Sequence, residues 1–167
     1  MIVLPNEILK NMLSSEGIVE VGRLEAVIEE AARKKQNALE LLVSKGIISK
    51  DYAFTLLAKH LGAQRVSFNN TGIDENVLRL ISEDVARKRK AIVFGRDAAG
   101  AYLVAMEDPT DLQTLDFLSL RLGGQIRSFL TSDEDLNKGF SLYGKELTQD
   151  FKEIIETEEK LLLATIS

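Results

Sequence analysis

The chain has 167 residues, with 21 Lys and Arg against 26 Asp and Glu, one His, no Cys and no Trp, and a net charge of −5. This is a globular composition, and the missing cysteines exclude disulfides, thiolate metal sites and cysteine nucleophiles. The acidic balance argues against broad binding along a phosphate backbone. No stretch approaches the roughly 20 uncharged apolar residues of a membrane helix. Glu7 and Lys10 interrupt the apolar run that a signal peptide needs, so a soluble, cytoplasmic protein is expected.

Residues 1–62 read as a helical subdomain. Apolar residues recur at helical spacing through Ile8, Met12 and Leu13, through Leu24, Val27, Ile28, Ala31 and Ala32, and again from Leu39 to Leu61. Gly17 and Gly46, 29 residues apart, each follow a short helix, where a left-handed cap costs glycine least. Their surroundings repeat in register: Met12 with Leu41, Leu13 with Leu42, Ile18-Val19 with Ile47-Ile48, Val27-Ile28 with Leu56-Leu57. This is a duplicated helix–Gly–apolar pair–helix unit, and two copies should pack on each other as a small bundle.

Residues 63–144 read as a small α/β subdomain. Val66-Ser67-Phe68 is expected as a short strand ended by the turn Asn69 to Gly72. Ser82 with Glu83 and Asp84 starts a helix. Ala91–Phe94 and Ala101–Met106 form a hairpin across the turn Arg96 to Gly100. Asp108-Pro109-Thr110 is expected to open a helix, with Asp108 as cap and Pro109 in the first turn, and Gly123-Gly124 ends it. Ile126–Leu130 is a further strand, so a parallel strand–helix–strand crossover is implied. Ser132 and Asp135 resemble a capping box opening a helix through Tyr143. Residues 145–167 are acidic, with a helical pattern in Leu147, Phe151, Ile154 and Ile155, and read as a linker helix or the start of a truncated region; Leu161-Leu162-Leu163 call for a neighbour to cover them. The fold class is α+β: a helical subdomain followed by a small sheet with covering helices.

Several chemical motifs are weighed and set aside. Gly139 to Gly144-Lys145 has the spacing of a phosphate-binding loop, but Glu146 follows the lysine and a helix precedes the motif, where that loop needs a hydroxyl and a strand. His60 has no second histidine or cysteine for a metal site and no serine or threonine in an elbow motif to activate. Arg87-Lys88-Arg89-Lys90 suits the negative end of the helix begun at Ser82, and no aromatic residue interleaves it as a base-stacking platform. The carboxylates Glu29-Glu30, Glu107-Asp108 and Asp133-Glu134-Asp135 sit in turns, caps and polar helix faces. No catalytic residue, metal or cofactor is expected.

Leu80-Ile81-Ser82-Glu83-Asp84-Val85-Ala86-Arg87-Lys88, Val93 to Asp97, Leu103 to Asp111 and Leu142-Tyr143-Gly144 resemble the N-terminal domain of the type II secretion and type IV pilus assembly ATPases (GspE/PilB type, MshEN-like). The segment Met106-Glu107-Asp108-Pro109-Thr110-Asp111 is the most specific part, and the helical duplication is similar to that family's paired motifs. Ser82 and Val93 stand where the family has prolines.

The resemblance implies a docking and regulatory module without a motor. Its partners would be the cytoplasmic domain of an inner-membrane secretion or pilus platform protein and its own ATPase domain, with no nucleic acid and no direct membrane insertion. The protein would be peripheral at the inner membrane through those partners. The alternative is a cyclic di-GMP sensing module, since one subgroup binds that nucleotide across the duplicated motif. That motif opens with Arg-Leu-Gly and closes with Gln in each copy. Here Ile8-Leu9-Lys10 and Asn37-Ala38-Leu39 stand at the openings, and Ala31 and His60 at the closings, so the expected hydrogen bonds to phosphate and guanine are lost. Leu13, Gly17, Asn37, Leu42, Gly46 and His60 are the candidate ligand- or partner-binding residues.

Overall fold

The computed structural model describes residues 2–166, and side chains for 2–144 and 157–162. Four helices come first: α1 (Asn6–Glu16), α2 (Val21–Lys34), α3 (Ala38–Ser44) and α4 (Lys50–Leu61). They bury one face each, and Leu9, Leu13, Leu24, Leu39, Leu42, Leu56 and Leu57 are sealed from solvent in a single core. The duplication survives in three dimensions. Leu24 and Ala53, again 29 residues apart, are both fully buried, and the helix-starting residues Glu20 and Ser49 share the same offset.

The chain then enters a sheet through β1 (Gln64–Arg65), followed by α5 (Glu75–Leu78), α6 (Glu83–Arg89), β2 (Ala91–Arg96), β3 (Tyr102–Met106), α7 (Leu112–Leu122), β4 (Ile126–Leu130) and α8 (Asp133–Ile166). The strand order is β1-β4-β3-β2. β2 and β3 are the antiparallel hairpin, while β3–α7–β4 is the parallel crossover, and β1 adds parallel to β4. These helices around a small mixed sheet make the α+β fold expected from the sequence. Leu130 at the end of β4 is packed into the helical core, so the two layers touch there.

Three local details differ from the sequence expectation. The first strand lies at Gln64–Arg65, ahead of Val66–Phe68. Val66 still donates its N–H to the Leu130 carbonyl, but the N–H of Phe68 goes to the Asp135 carboxylate at 2.9 Å, which turns the chain off the ladder. The crossover helix opens at Asp111, not at Asp108-Pro109-Thr110. Asp108 instead closes a turn by accepting from the Thr110 N–H and hydroxyl (2.9 and 2.6 Å), and Asp111 caps α7 by accepting from the Thr114 N–H and hydroxyl (3.2 and 2.7 Å). A side-chain oxygen two residues from a backbone donor competes well with helix initiation. Third, α8 does not stop at Gly144 but runs to Ile166. The Ser132–Asp135 cap forms with a variation, since the Asp135 carboxylate accepts from the Ser132 hydroxyl at 2.7 Å.

A bulge in the hairpin has a clear job. Val93 pairs with Val104 and Gly95 with Leu103, leaving Phe94 unpaired. Its carbonyl accepts from the Asp74 N–H at 2.9 Å, anchoring α5, and its ring packs edge-on between Phe68 and Phe129 at 5.5 Å from each. On α8, Gly139 is buried directly over Ile92 of β2, and a β-carbon there would lie 2.1 Å from the Ile92 Cδ1. The first glycine of the apparent phosphate loop is thus the point where a helix crosses a sheet. Lys145 and Glu146 of that motif, and Leu147, Phe151, Ile154, Ile155 and Leu163 further on, have side chains outside the described residues.

Candidate functional site

The duplicated helical unit brings the six sequence-derived residues into one element, although in different roles. Gly17 and Gly46 both take left-handed backbone (φ 65° and 72°), and each donates its N–H back to the carbonyl three residues earlier, Ser14 and Val43. Leu13 and Leu42 are fully buried one turn before these glycines, packed in the core beneath the loops. Asn37 is the cap of α3: its Oδ1 accepts from the N–H groups of Leu39 (3.0 Å) and Glu40 (3.4 Å), and its Nδ2 donates to the Ile2 carbonyl at 3.3 Å. His60 lies exposed in the last turn of α4, before the left-handed Gly62.

The two copies are not equivalent at their loops. Ile18 and Val21 of the first copy are 49% and 52% exposed. Their counterparts in the second copy are the half-buried Ile47 and the charged Lys50. The closing positions also diverge, with Ala31 buried and His60 exposed.

Several charges around this unit are paired. Glu30 binds Lys34 at 2.9 Å and Lys45 at 2.8 Å, tying α2 to α3. The hydrogen bond from Lys34, then that from Lys45, holds the Glu30 carboxyl down at about 2. Glu16 accepts from the Tyr52 hydroxyl and faces Lys59 at 3.7 Å, joining α1 to α4. Desolvation, with the Glu16 contact, pushes the Tyr52 phenol up to about 12. Lys50 is bound to Glu134 at 2.7 Å. An anionic ligand approaching Lys34, Lys45, Lys50 or Lys59 meets a cation that already has a carboxylate partner.

Three of the four cations of the basic run have partners within the chain. Arg87 lies 4.8 Å over the Phe140 ring and 3.3 Å from Glu83, Arg89 lies 4.6 Å over Phe117, and Lys90 meets Glu107 at 3.1 Å. Among the described residues, no group of three or more His, Cys, Asp or Glu is placed to hold a metal ion, and no helix is long and apolar enough to cross a membrane.

Sequence reasoning missed one feature, a cleft of about 260 Å³ where α3 and α4 meet the carboxyl ends of β3 and β4. Its walls come from segments as distant as Ile2 and Asp133, so no local motif announces it.

The model of one family, the MshEN domain, matches residues 61–150, from the last turn of α4 through the sheet into α8. The chain belongs to the MshEN domain family. Over 147 residues this MshEN chain is 22% identical to the type IV pilus assembly ATPase PilB of Myxococcus xanthus (strain DK1622), a match covering 88% of the chain and 26% of that protein. The chain therefore spans about a quarter of the length of this curated relative. It is similar to the solved structure of MshE with cdg (TM-score 0.65, 26% identity, 81% of this chain and 97% of that one). The N-terminal domain of XpsE shares the fold (TM-score 0.51, 18% identity, 84% and 97%). The resemblance carried by Leu80–Lys88 and Leu103–Asp111, to the N-terminal domains of secretion and pilus ATPases, is borne out.

Proposed function

We propose that this MshEN domain is a non-catalytic docking and regulatory module of a secretion or pilus assembly ATPase, coupling the motor to the cytoplasmic part of an inner-membrane platform protein. The observation that carries this reading is the exposure of Ile18 and Val21 at the first repeat loop, where the second copy is covered or charged. Adjacent aliphatic side chains left in water gain free energy, on the order of 25 cal/mol per Å², when a partner covers them. In this reading Gly17 and Gly46 shape the two loops, Leu13 and Leu42 brace them from beneath, and Asn37 and His60 supply polar groups beside the contact. The chain's own motor is the second partner, reached through the helix that continues after Gly144. Binding at one end then biases the other only through a difference in affinity between two arrangements. Peripheral association with the inner membrane follows from the platform contact alone.

Gel filtration of the chain with a purified cytoplasmic domain of the platform protein tests this. Co-elution is expected, and Ile18→Glu with Val21→Glu should abolish it while leaving the thermal melt intact. Separate elution, or a complex indifferent to both substitutions, would refute the reading.

One observation favours a second reading, cyclic di-GMP sensing: the likeness to MshE with cdg over 81% of the chain. The residues oppose it. Ile8, Asn37, Ala31 and His60 replace the motif's arginines and glutamines, Ala31 is buried, and the Asn37 side chain caps α3. A ligand that binds only the native state adds about 2.7 kcal/mol at a hundredfold excess over Kd. No rise in melting temperature with cyclic di-GMP is expected; a rise of that size would reverse the order of the two readings.

A further inference from the structure

We propose that the cleft between the helical unit and the carboxyl ends of β3 and β4 receives a basic, amphipathic segment of a partner protein. The floor is apolar: Val43 of α3, Phe54 and Leu57 of α4, and Leu130 at the end of β4. Leu57 and Leu130 are fully buried, so the floor is a window onto the helical core. The volume, about 260 Å³, suits a large apolar anchor side chain and part of its neighbour. An anchor of this kind gains most where the pocket is already formed.

The rim decides the sign of the occupant. Glu40, Glu107 and Asp133 border the opening; Glu107 is bound to Lys90 at 3.1 Å, and the one cation among the described lining residues, Lys50, is held by Glu134 at 2.7 Å, so with both pairs counted carboxylates still outnumber cations at the rim. The hydroxyls that could greet a phosphate are committed elsewhere. Ser44 donates to the Leu41 carbonyl at 3.0 Å and Thr131 to the Val66 carbonyl at 2.9 Å. A nucleotide would bring negative charge to carboxylates with no spare hydroxyl donor. A peptide that pairs an apolar side chain with flanking Arg or Lys satisfies floor and rim together. The helix-in-groove mode gives such a segment its spacing, with anchors on one face and cations beside them. This cleft is separate from the Ile18–Val21 loop, and the inference does not depend on it.

Three amphipathic helical peptides with the same leucine stripe, and Arg, Gln or Glu on the flanking positions, provide the test. Each is titrated into the full chain by fluorescence anisotropy, and the binding site is mapped by amide chemical shifts. The arginine peptide should bind at least about tenfold more tightly than the glutamate peptide, by rim electrostatics. Its shifts should centre on Val43, Lys50 and Thr131. Glu40→Arg, on an exposed rim position, should weaken it several-fold, and Val43→Arg should abolish binding by filling the floor. Glu25→Arg, on the exposed side of α2, should change nothing. Equal binding of the three peptides, binding of none at millimolar concentration, or shifts centred on Ile18 would overturn the proposal. A variant that no longer melts cooperatively is replaced by Glu40→Gln, for which a smaller loss in the same direction is required.

Discussion

The contact between Gly139 and Ile92 allows a sharp prediction. Replacing Gly139 by alanine places a methyl 2.1 Å from the Ile92 Cδ1 and 3.3 Å from its Cγ1. Ile92 is fully buried near the open end of the hairpin, where close packing resists a change of rotamer. Overpacking of this kind costs up to about 3 kcal/mol. Alanine in a helix interior recovers about 1 kcal/mol relative to glycine, leaving a net loss of about 2 kcal/mol for Gly139→Ala. Ile92→Val alone should lose about 1 kcal/mol, because it deletes a buried methyl. In the double variant the deleted methyl is the clashing one, and the added methyl fills its place. The pair should therefore lie within about 1 kcal/mol of the wild type, instead of the roughly 3 kcal/mol that additivity gives. Urea unfolding followed by far-UV circular dichroism measures all four proteins. A neutral Gly139→Ala, or an additive double variant, would refute the packing argument. It would also reopen the glycine's role as part of a phosphate loop.

Other expectations follow from single observations. Gly46→Ala forces a β-carbon into left-handed backbone with no steric contact to relieve, and should cost about 1 kcal/mol; Gly17→Ala, at φ 65° and with equally open space around it, should cost the same. Tyr143 shares one hydroxyl proton between the carbonyls of Leu78 and Ile81 (3.0 and 2.9 Å), so Tyr143→Phe should lose about 1 kcal/mol in the same urea assay. Glu30, held at about 2 by Lys34 and Lys45, contributes stability that is complete above its ordinary range near 4.5. That contribution is lost as the pH falls from about 5 toward 2, because the unfolded chain binds the proton first. Melting temperatures of wild type and Glu30→Gln should differ at pH 7 and converge near pH 2; a constant gap would contradict the pairing.

The parts of this fold that were legible in the sequence are those set by local chemistry. The helical periodicity of Leu24, Val27, Ile28 and Ala31, the left-handed glycines, the Ser82 cap and the hairpin across Arg96–Gly100 each depend on residues close in the chain. The place of the first strand is not set locally, because its end is fixed from 67 residues away by the carboxylate of Asp135 on the Phe68 N–H. The start of the crossover helix is ambiguous in the sequence because Asp108 and Asp111 are both good caps, and the one that caps it has Thr114 three residues on. The context of the phosphate-loop spacing argues against that loop, but the reason for Gly139 lies in Ile92 beneath it, far away in the sequence. At the candidate site, Gly17 and Gly46 could be placed from spacing. The burial of Leu13 and Leu42, the tie from Asn37 to Ile2 and the acidic cleft depend on tertiary packing that no short window encodes.

The proposed docking of this MshEN domain to another protein turns on the loop at Ile18 and Val21. Calorimetric titration of the folded chain with the cytoplasmic domain of the platform protein tests it most directly. A saturable isotherm, lost in the Ile18→Glu and Val21→Glu double variant, is the predicted result. Absence of heat with that domain, alongside a clear isotherm with cyclic di-GMP on the same sample, would contradict the claim.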